Sequence, residues 1–208
     1  MGESAMSVRQ MKVGDQRNFV YLLVDEPSGE ALVIDSGWEL DPILFVVRSE
    51  GLDVKYAVAT HHHSDHTSTL LNLGRMLDAK VVAHRSSPIP HDLAVDDGDC
   101  LRIGKMEVKI LYTPGHTDDS ICVYDGEHLF TGDTLLIGSC GRSDFLGGSS
   151  SKMYRSLHSK ILKLPPETVI YPGHDSGEVP FRKLSAEAKL NPALLAKSYG
   201  EFRRLVRK

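Results

Sequence analysis

Four histidines and an aspartate crowd one short segment, Thr60-His61-His62-His63-Ser64-Asp65-His66. Imidazole and carboxylate side chains together suit zinc, iron or manganese. The segment follows an apolar, β-prone run over residues 54–59, which reads as a buried strand. Side chains two apart on an extended chain point the same way. His61 and His63 can therefore face one ion together while His62 faces away. Asp65 and His66 fall where the chain turns into the next helix, so they can reach a second point nearby. A bland cluster of surface histidines is the competing reading, and a position in mid-chain after a buried strand argues against it.

Three further segments share one grammar: a β-rich run, a tight turn, then a ligand type. They are Tyr112-Thr113-Pro114-Gly115-His116, Leu129-Phe130-Thr131-Gly132-Asp133 and Ile170-Tyr171-Pro172-Gly173-His174. In each, a glycine before the His or Asp lets the backbone turn sharply, at a strand end where loops build sites on a rigid scaffold. Any one alone reads as structural; the coincidence of three with the cluster points to a metal site.

The elements that must position these groups follow from local pattern. Residues 18–24 and 31–34 read as strands joined by the turn Glu26-Pro27-Ser28-Gly29. Asp41 reads as an N-cap, with Pro42 opening a helix over 42–50 that Gly51 stops. A helix is expected over 67–77, a strand over 80–83 and a loop over 86–98. Hairpins are expected for 101–103 with 106–112, and for 121–124 with 129–131. A long Gly/Ser loop covers 138–151, a helix 152–164 and a strand 168–171. Residues 179–208 read as helical with a break at Asn191-Pro192. This is a mixed α/β pattern without steady βαβα alternation, and no linker divides residues 1–208, so a single domain is expected.

Composition sets bounds. The chain has 208 residues, 41% apolar and 25% charged, with net charge −4, which is ordinary for a globular protein. Nothing global argues for nucleic acid or a membrane surface, so the expected partner is a small-molecule substrate, with a homo-oligomer left open. Cys100, Cys122 and Cys140 form no framework and read as free thiols of a reducing cytosol. Residues 1–10 lack an apolar signal core, and the apolar run 43–47 is too short to span a bilayer. A cytoplasmic protein is expected. Gly2 lacks the rest of a myristoylation motif, since Met6 stands where Ser or Thr belongs. Residues 1–6 read as a ragged start, with Met6 as an alternative beginning. The basic excess after Phe181 (Arg182, Lys183, Lys189, Lys197, Arg203, Arg204, Arg207 and Lys208 against Glu187 and Glu201) reads as a solvated helix face, or else as a rim attracting anionic substrates. Cys140 reads as an idle thiol. His62, His84, His91, His128 and His158 are left out of the site, and Trp38 and Tyr112 are read as packing.

His61-x-His63-x-Asp65-His66, followed by His116, Asp133 and His174, resembles the full ligand set of the metallo-β-lactamase superfamily. The resemblance implies a four-layer αββα sandwich with the site at one edge between two sheets. It implies one or two divalent metal ions (zinc, iron or manganese): His61, His63 and His116 on one, Asp65, His66 and His174 on the other, with Asp133 bridging. Asp35 matches a supporting aspartate of that family, not a ligand. With two ions bound, a shared water of lowered pKa would attack an ester, thioester or phosphoester. This metal-dependent hydrolase is the first reading. Thr131-Gly132-Asp133-Thr134-Leu135 and Gly138-Ser139-Cys140-Gly141-Arg142 are similar to the glyoxalase II pattern, although only about 30 residues follow His174 where that family carries a helical domain. The alternative is a mononuclear Fe(II) persulfide dioxygenase, because Gly141-Arg142-Ser143-Asp144-Phe145 closely resembles the Gly-Arg-Thr-Asp-Phe loop of that family. There, the equivalents of His61, His116 and Asp133 hold the ion. Asp65 then becomes a proton relay instead of a ligand. Two glutathione-binding signatures of that family are absent, with Ser176 in place of Tyr and Ala188 in place of Arg. Arg142 and Asp144 are read either as substrate-binding residues or as an ion pair at the rim. A non-catalytic metal-binding protein is the remote alternative.

Overall fold

The computed structural model describes residues 6–206; the expectations placed on residues 1–5, Arg207 and Lys208 lie outside that range. One six-stranded sheet runs in chain order: β1 (Met6–Val13), β2 (Asn18–Asp25), β3 (Glu30–Ile34), β4 (Asp53–Val58), β5 (Lys80–His84) and β6 (Leu93–Val95). β1, β2 and β3 are antiparallel neighbours, and β3 to β6 are parallel. A second six-stranded sheet contains β7 (Cys100–Ile103), β8 (Met106–Tyr112), β9 (Ile121–Tyr124), β10 (His128–Gly132), β11 (Val169–Pro172) and β12 (Arg182–Lys183). Both expected hairpins form in it.

Three apolar clusters show how the layers stack. Every residue of β2 is buried, because both faces of its sheet are covered. Tyr21 and Leu23 point into the core between the sheets, against Ile103, Ile110, Val123 and Phe130. Val20, Leu22 and Val24 alternate to the other face. There they meet Ile43, Leu44 and Val47 of α1 (Asp41–Glu50) and Leu70 and Leu73 of α3 (Leu70–Leu77). The outer face of the second sheet (Cys122, Leu129, Ile170) packs on Met153 and Leu157 of α4 (Ser150–Ser159) and on Leu184, Leu194 and Phe202. Those last three belong to α5 (Leu184–Leu190), α6 (Pro192–Leu195) and α7 (Tyr199–Leu205). The result is the expected αββα sandwich.

Local departures have physical reasons. β1 and β6 are edge strands with mostly partial burial or exposure, so neither carries a clean apolar alternation. Asp41 is the first helical residue, not the cap: Leu40 is already helical and accepts from the Leu44 amide. The expected helix over 67–77 forms only as α3, and a separate helical turn, α2 (Ser64–Thr67), precedes it. At the break, Thr69 donates through its backbone and hydroxyl to the 36–37 turn. Residues 182–183 are extended because they close the edge beside β11. None of the described helices is long and apolar enough to cross a membrane.

Candidate metal centre

β4 delivers His61 and His63 from its carboxyl end, and α2 supplies Asp65 and His66 within one turn. His116 follows β8, Asp133 follows β10 and His174 follows β11. The glycines before them act differently. Gly132 has φ +47°, a left-handed conformation, and a Cβ there would lie 2.5 Å from Thr60 Oγ1. Gly173 serves close approach: a Cβ would meet Asp133 Oδ1 at 2.6 Å and His66 Cε1 at 2.8 Å.

Asp35 ties the site together from the end of β3. Its φ is +56°, an unfavourable backbone for a non-glycine residue. Its carboxylate accepts from the Thr60 amide (2.8 Å), the Thr60 hydroxyl (2.9 Å) and His66 Nδ1 (2.8 Å). Because the Thr60 hydroxyl donates to Asp35, it accepts from His61 Nδ1 at 3.0 Å. His116 Nδ1 donates to the Arg142 carbonyl (2.7 Å), and His174 Nδ1 to the Gln16 carbonyl (3.2 Å). These outer bonds leave the Nε2 lone pairs of His61, His66, His116 and His174 facing inward.

The inward atoms form two adjoining groups. His63 Nδ1 lies 3.1 Å from His61 Nε2 and 3.0 Å from His116 Nε2. His66 Nε2 lies 3.2 Å from His174 Nε2, and Asp65 Oδ2 is 3.4 Å from each. Asp133 sits between the groups, 3.4 Å from both His116 Nε2 and His174 Nε2. His61, His63 and His116, then His61, His66 and Asp133, then Asp65, His66 and His174 are each spaced to hold a metal ion. Asp133 Oδ1 is buried without a hydrogen-bond partner. Converging lone pairs and an orphaned carboxylate oxygen are costly unless a cation or proton joins them, so the donor set fits a divalent metal.

Without a metal the two groups differ electrostatically. Burial and neighbouring imidazoles push His61 far down; burial also lowers His63 and His116. Burial opposes charge on His66 and His174 as well, but there the carboxylates prevail. Asp35, Asp133 and Asp65 raise His66, while Asp133 and Asp65 carry His174 up to about 10. Asp133 and Asp65 are lowered in turn, against their burial, chiefly by His174 and His66.

Several side chains outside the expected set support the site. Asn18 donates to Asp65 Oδ2 (2.9 Å), and the Phe145 ring packs 5.2 Å from His63 and 5.1 Å from His116. Buried Asp119 accepts from His62 Nδ1 (2.8 Å) and from the Thr117 hydroxyl (2.6 Å), so it ties the loop of His61 and His63 to that of His116. No spacing signal marks Asn18 or Asp119, because each acts through a partner 47 or 57 residues away. His84, His91, His128 and His158 bond to Ser86, the Ile89 carbonyl, Asp125 and the Ala193 carbonyl. Tyr112 stacks on His84 at 4.1 Å; Trp38, read as packing, is 46% exposed. Arg142 and Asp144 pair at 3.0 Å with side chains 76% and 70% exposed, so only the Arg142 carbonyl touches the centre. Burial pushes the Cys140 thiol up to about 12, which keeps it protonated and unreactive.

A sequence profile described as the metallo-beta-lactamase superfamily matches residues 13–87 and 76–174. The chain is 38% identical to human persulfide dioxygenase ETHE1 over 191 residues, covering 90% of this chain and 75% of that protein. It is 36% identical to a probable hydroxyacylglutathione hydrolase of Schizosaccharomyces pombe, covering 79% and 66%. The crystal structure of ETHE1 from Myxococcus xanthus superposes with a TM-score of 0.92 at 35% identity, covering 98% of this chain and 91% of that one.

Proposed function

The chain belongs to the metallo-beta-lactamase superfamily, whose enzymes bind one or two divalent metal ions, and from that premise we propose that it is an iron-dependent persulfide dioxygenase. The reaction is RSSH + O₂ + H₂O → RSH + SO₃²⁻ + 2 H⁺: the outer sulfur is oxidised, oxygen is reduced, and the S–S bond breaks.

The observation that carries this reading is loop 141–145. Its sequence is Gly-Arg-Ser-Asp-Phe, its Arg142 carbonyl orients His116, and its Phe145 ring covers His63 and His116. The similarity to the two ETHE1 proteins supports the same reading. We therefore place the dioxygenase, expected second, ahead of the hydrolase.

His61, His116 and Asp133 are the ligands we assign, a two-histidine, one-carboxylate face with open positions. Ferrous iron bound there would supply the redox chemistry that oxygen requires. The chain does the rest. Thr60 and the Arg142 carbonyl hold His61 and His116 in the tautomer that offers Nε2. Phe145 forms an apolar wall against the His63 and His116 rings. Asp65, fixed by Asn18 and 3.4 Å from His174 Nε2, stays ionised and holds a proton on that imidazole beside the reacting face.

A metal-dependent hydrolase is the second reading, favoured by the complete donor group of Asp65, His66 and His174 beside Asp133. Metal analysis combined with two assays separates them. The dioxygenase reading expects one iron per chain and oxygen uptake that depends on a thiol persulfide. Two metals per chain, no oxygen uptake and turnover of a thioester or phosphoester would overturn it.

A further inference from the structure

We propose that His62, Asp118 and Asp119 form a separate, peripheral metal site on the outer side of the loops that build the main centre, and that its ion is zinc. The three residues are spaced to hold one cation, since their ligand atoms all lie within 4.8 Å of one another. None of them belongs to the main centre. On the extended segment that turns His61 and His63 inward, His62 points the other way, and its Nδ1 lies 2.8 Å from Asp119 Oδ1. That separation is close to the 3.0 and 3.1 Å between the inward nitrogens of His61, His63 and His116.

The carboxylates carry the argument. The Asp119 side chain is fully buried, and its Oδ2 has no hydrogen-bond partner. Among the described residues, the only other carboxylate in that condition is Asp133 of the main centre. Against its burial, Thr117, Ser87 and His62 keep Asp119 ionised, yet no hydrogen bond reaches Oδ2. A mere tie between loops needs Oδ1 alone, because Oδ1 takes both the His62 and the Thr117 bonds. Asp118 sets a second carboxylate beside the first. Among the described residues no lysine or arginine pairs with either; the one ion pair is His62 with Asp119. A buried orphaned oxygen and two adjoining negative charges are costly without a cation. One imidazole with two carboxylates suits zinc, which such donors bind more tightly than manganese or iron; calcium and magnesium prefer oxygen alone. Asp118 is exposed, so the ion has an entry path from solvent. Segment 60–66 and loop 113–120 thus each give ligands to both sites, and zinc between His62 and Asp119 clamps the two loops that present His61, His63 and His116.

The test is equilibrium dialysis of the native protein and of Asp118→Ala against buffered free zinc across the micromolar range, with zinc per chain counted by mass spectrometry. Asp118→Ala removes one ligand from an exposed position and leaves the buried bond between His62 and Asp119 in place. Whatever the main centre takes up is common to both proteins, so the difference counts the peripheral site. The native protein is expected to bind one more zinc per chain than the variant. Loss of a ligand weakens binding at least as much as loss of an outer bond does, about 10–100-fold. In zinc-soaked crystals of the native protein, anomalous scattering is expected to show a peak between His62 and Asp119. Equal zinc counts in the two proteins would overturn the site, and so would crystals with zinc in the main centre and none beside His62. Neither result depends on which reaction the main centre performs.

Discussion

Asp35 contributes no inward-facing atom to the centre, yet three of its bonds decide how two histidines present themselves. An Asp35→Asn variant replaces one acceptor with a donor, so either Thr60 or His66 loses its partner. Losing such outer bonds lowers metal affinity by about 10–100-fold; a competition titration with a chelator reads the change. Asp119 tests a different tie. Asp119→Ala removes the acceptor shared by half-buried His62 and buried Thr117 and is expected to cost about 1 kcal/mol of stability, read by urea unfolding. At this scale, sequence spacing points to His61 and His63 because both lie on one extended segment. It is silent on Asn18 and Asp119, whose roles arise only when distant loops meet.

At the scale of the element, strand ends and their turns set the precision of the site. Gly173→Ala places a methyl group 2.6 Å from Asp133 Oδ1, so it is expected to expel metal while far-UV circular dichroism stays unchanged; metal content per chain checks this. The β9–β10 turn carries a separate pair, His128 Nδ1 and Asp125 at 2.8 Å. Burial lowers His128, but the Asp125 hydrogen bond and charge outweigh it and raise its pKa. A raised folded-state pKa gives stability that is complete below the unfolded value of about 6.5 and is lost as pH rises through the folded value. The stability gap between the native protein and His128→Gln should therefore be widest below pH 6.5 and narrow above it, as thermal unfolding across pH would show. Hairpins and central strands are legible locally. β1 and β6 are not, since an edge strand gains its order from a neighbour that the local pattern does not contain.

For the whole molecule, the centre joins both sheets, so its occupancy bears on global stability. His61, His63 and His66 follow the first sheet, and His116, Asp133 and His174 follow the second. A cation held between them cross-links the sandwich. Metal at 1,000 times its Kd adds about 4 kcal/mol, equivalent to roughly 8–16 °C in Tm for a chain of this size. Chelation should lower Tm by that order, and re-addition of the metal should restore it. No change in Tm on chelation, with metal loss verified, would contradict a bridging ion.

The amino-acid sequence by itself determined the layered fold and the identities of the converging groups. A continuous apolar run such as residues 19–24 marks a strand buried on both faces, and His116, Asp133 and His174 are each announced by a glycine after a strand. Only the tertiary structure decided which ring nitrogens face inward and that Arg142 acts through its carbonyl. It also brought Asp119 against His62. Those facts depend on contacts between residues up to 158 positions apart, as between Gln16 and His174. Local pattern carries the energetics of a strand or a helix, but a proton's place on an imidazole is set by whichever acceptor folding brings to its other side.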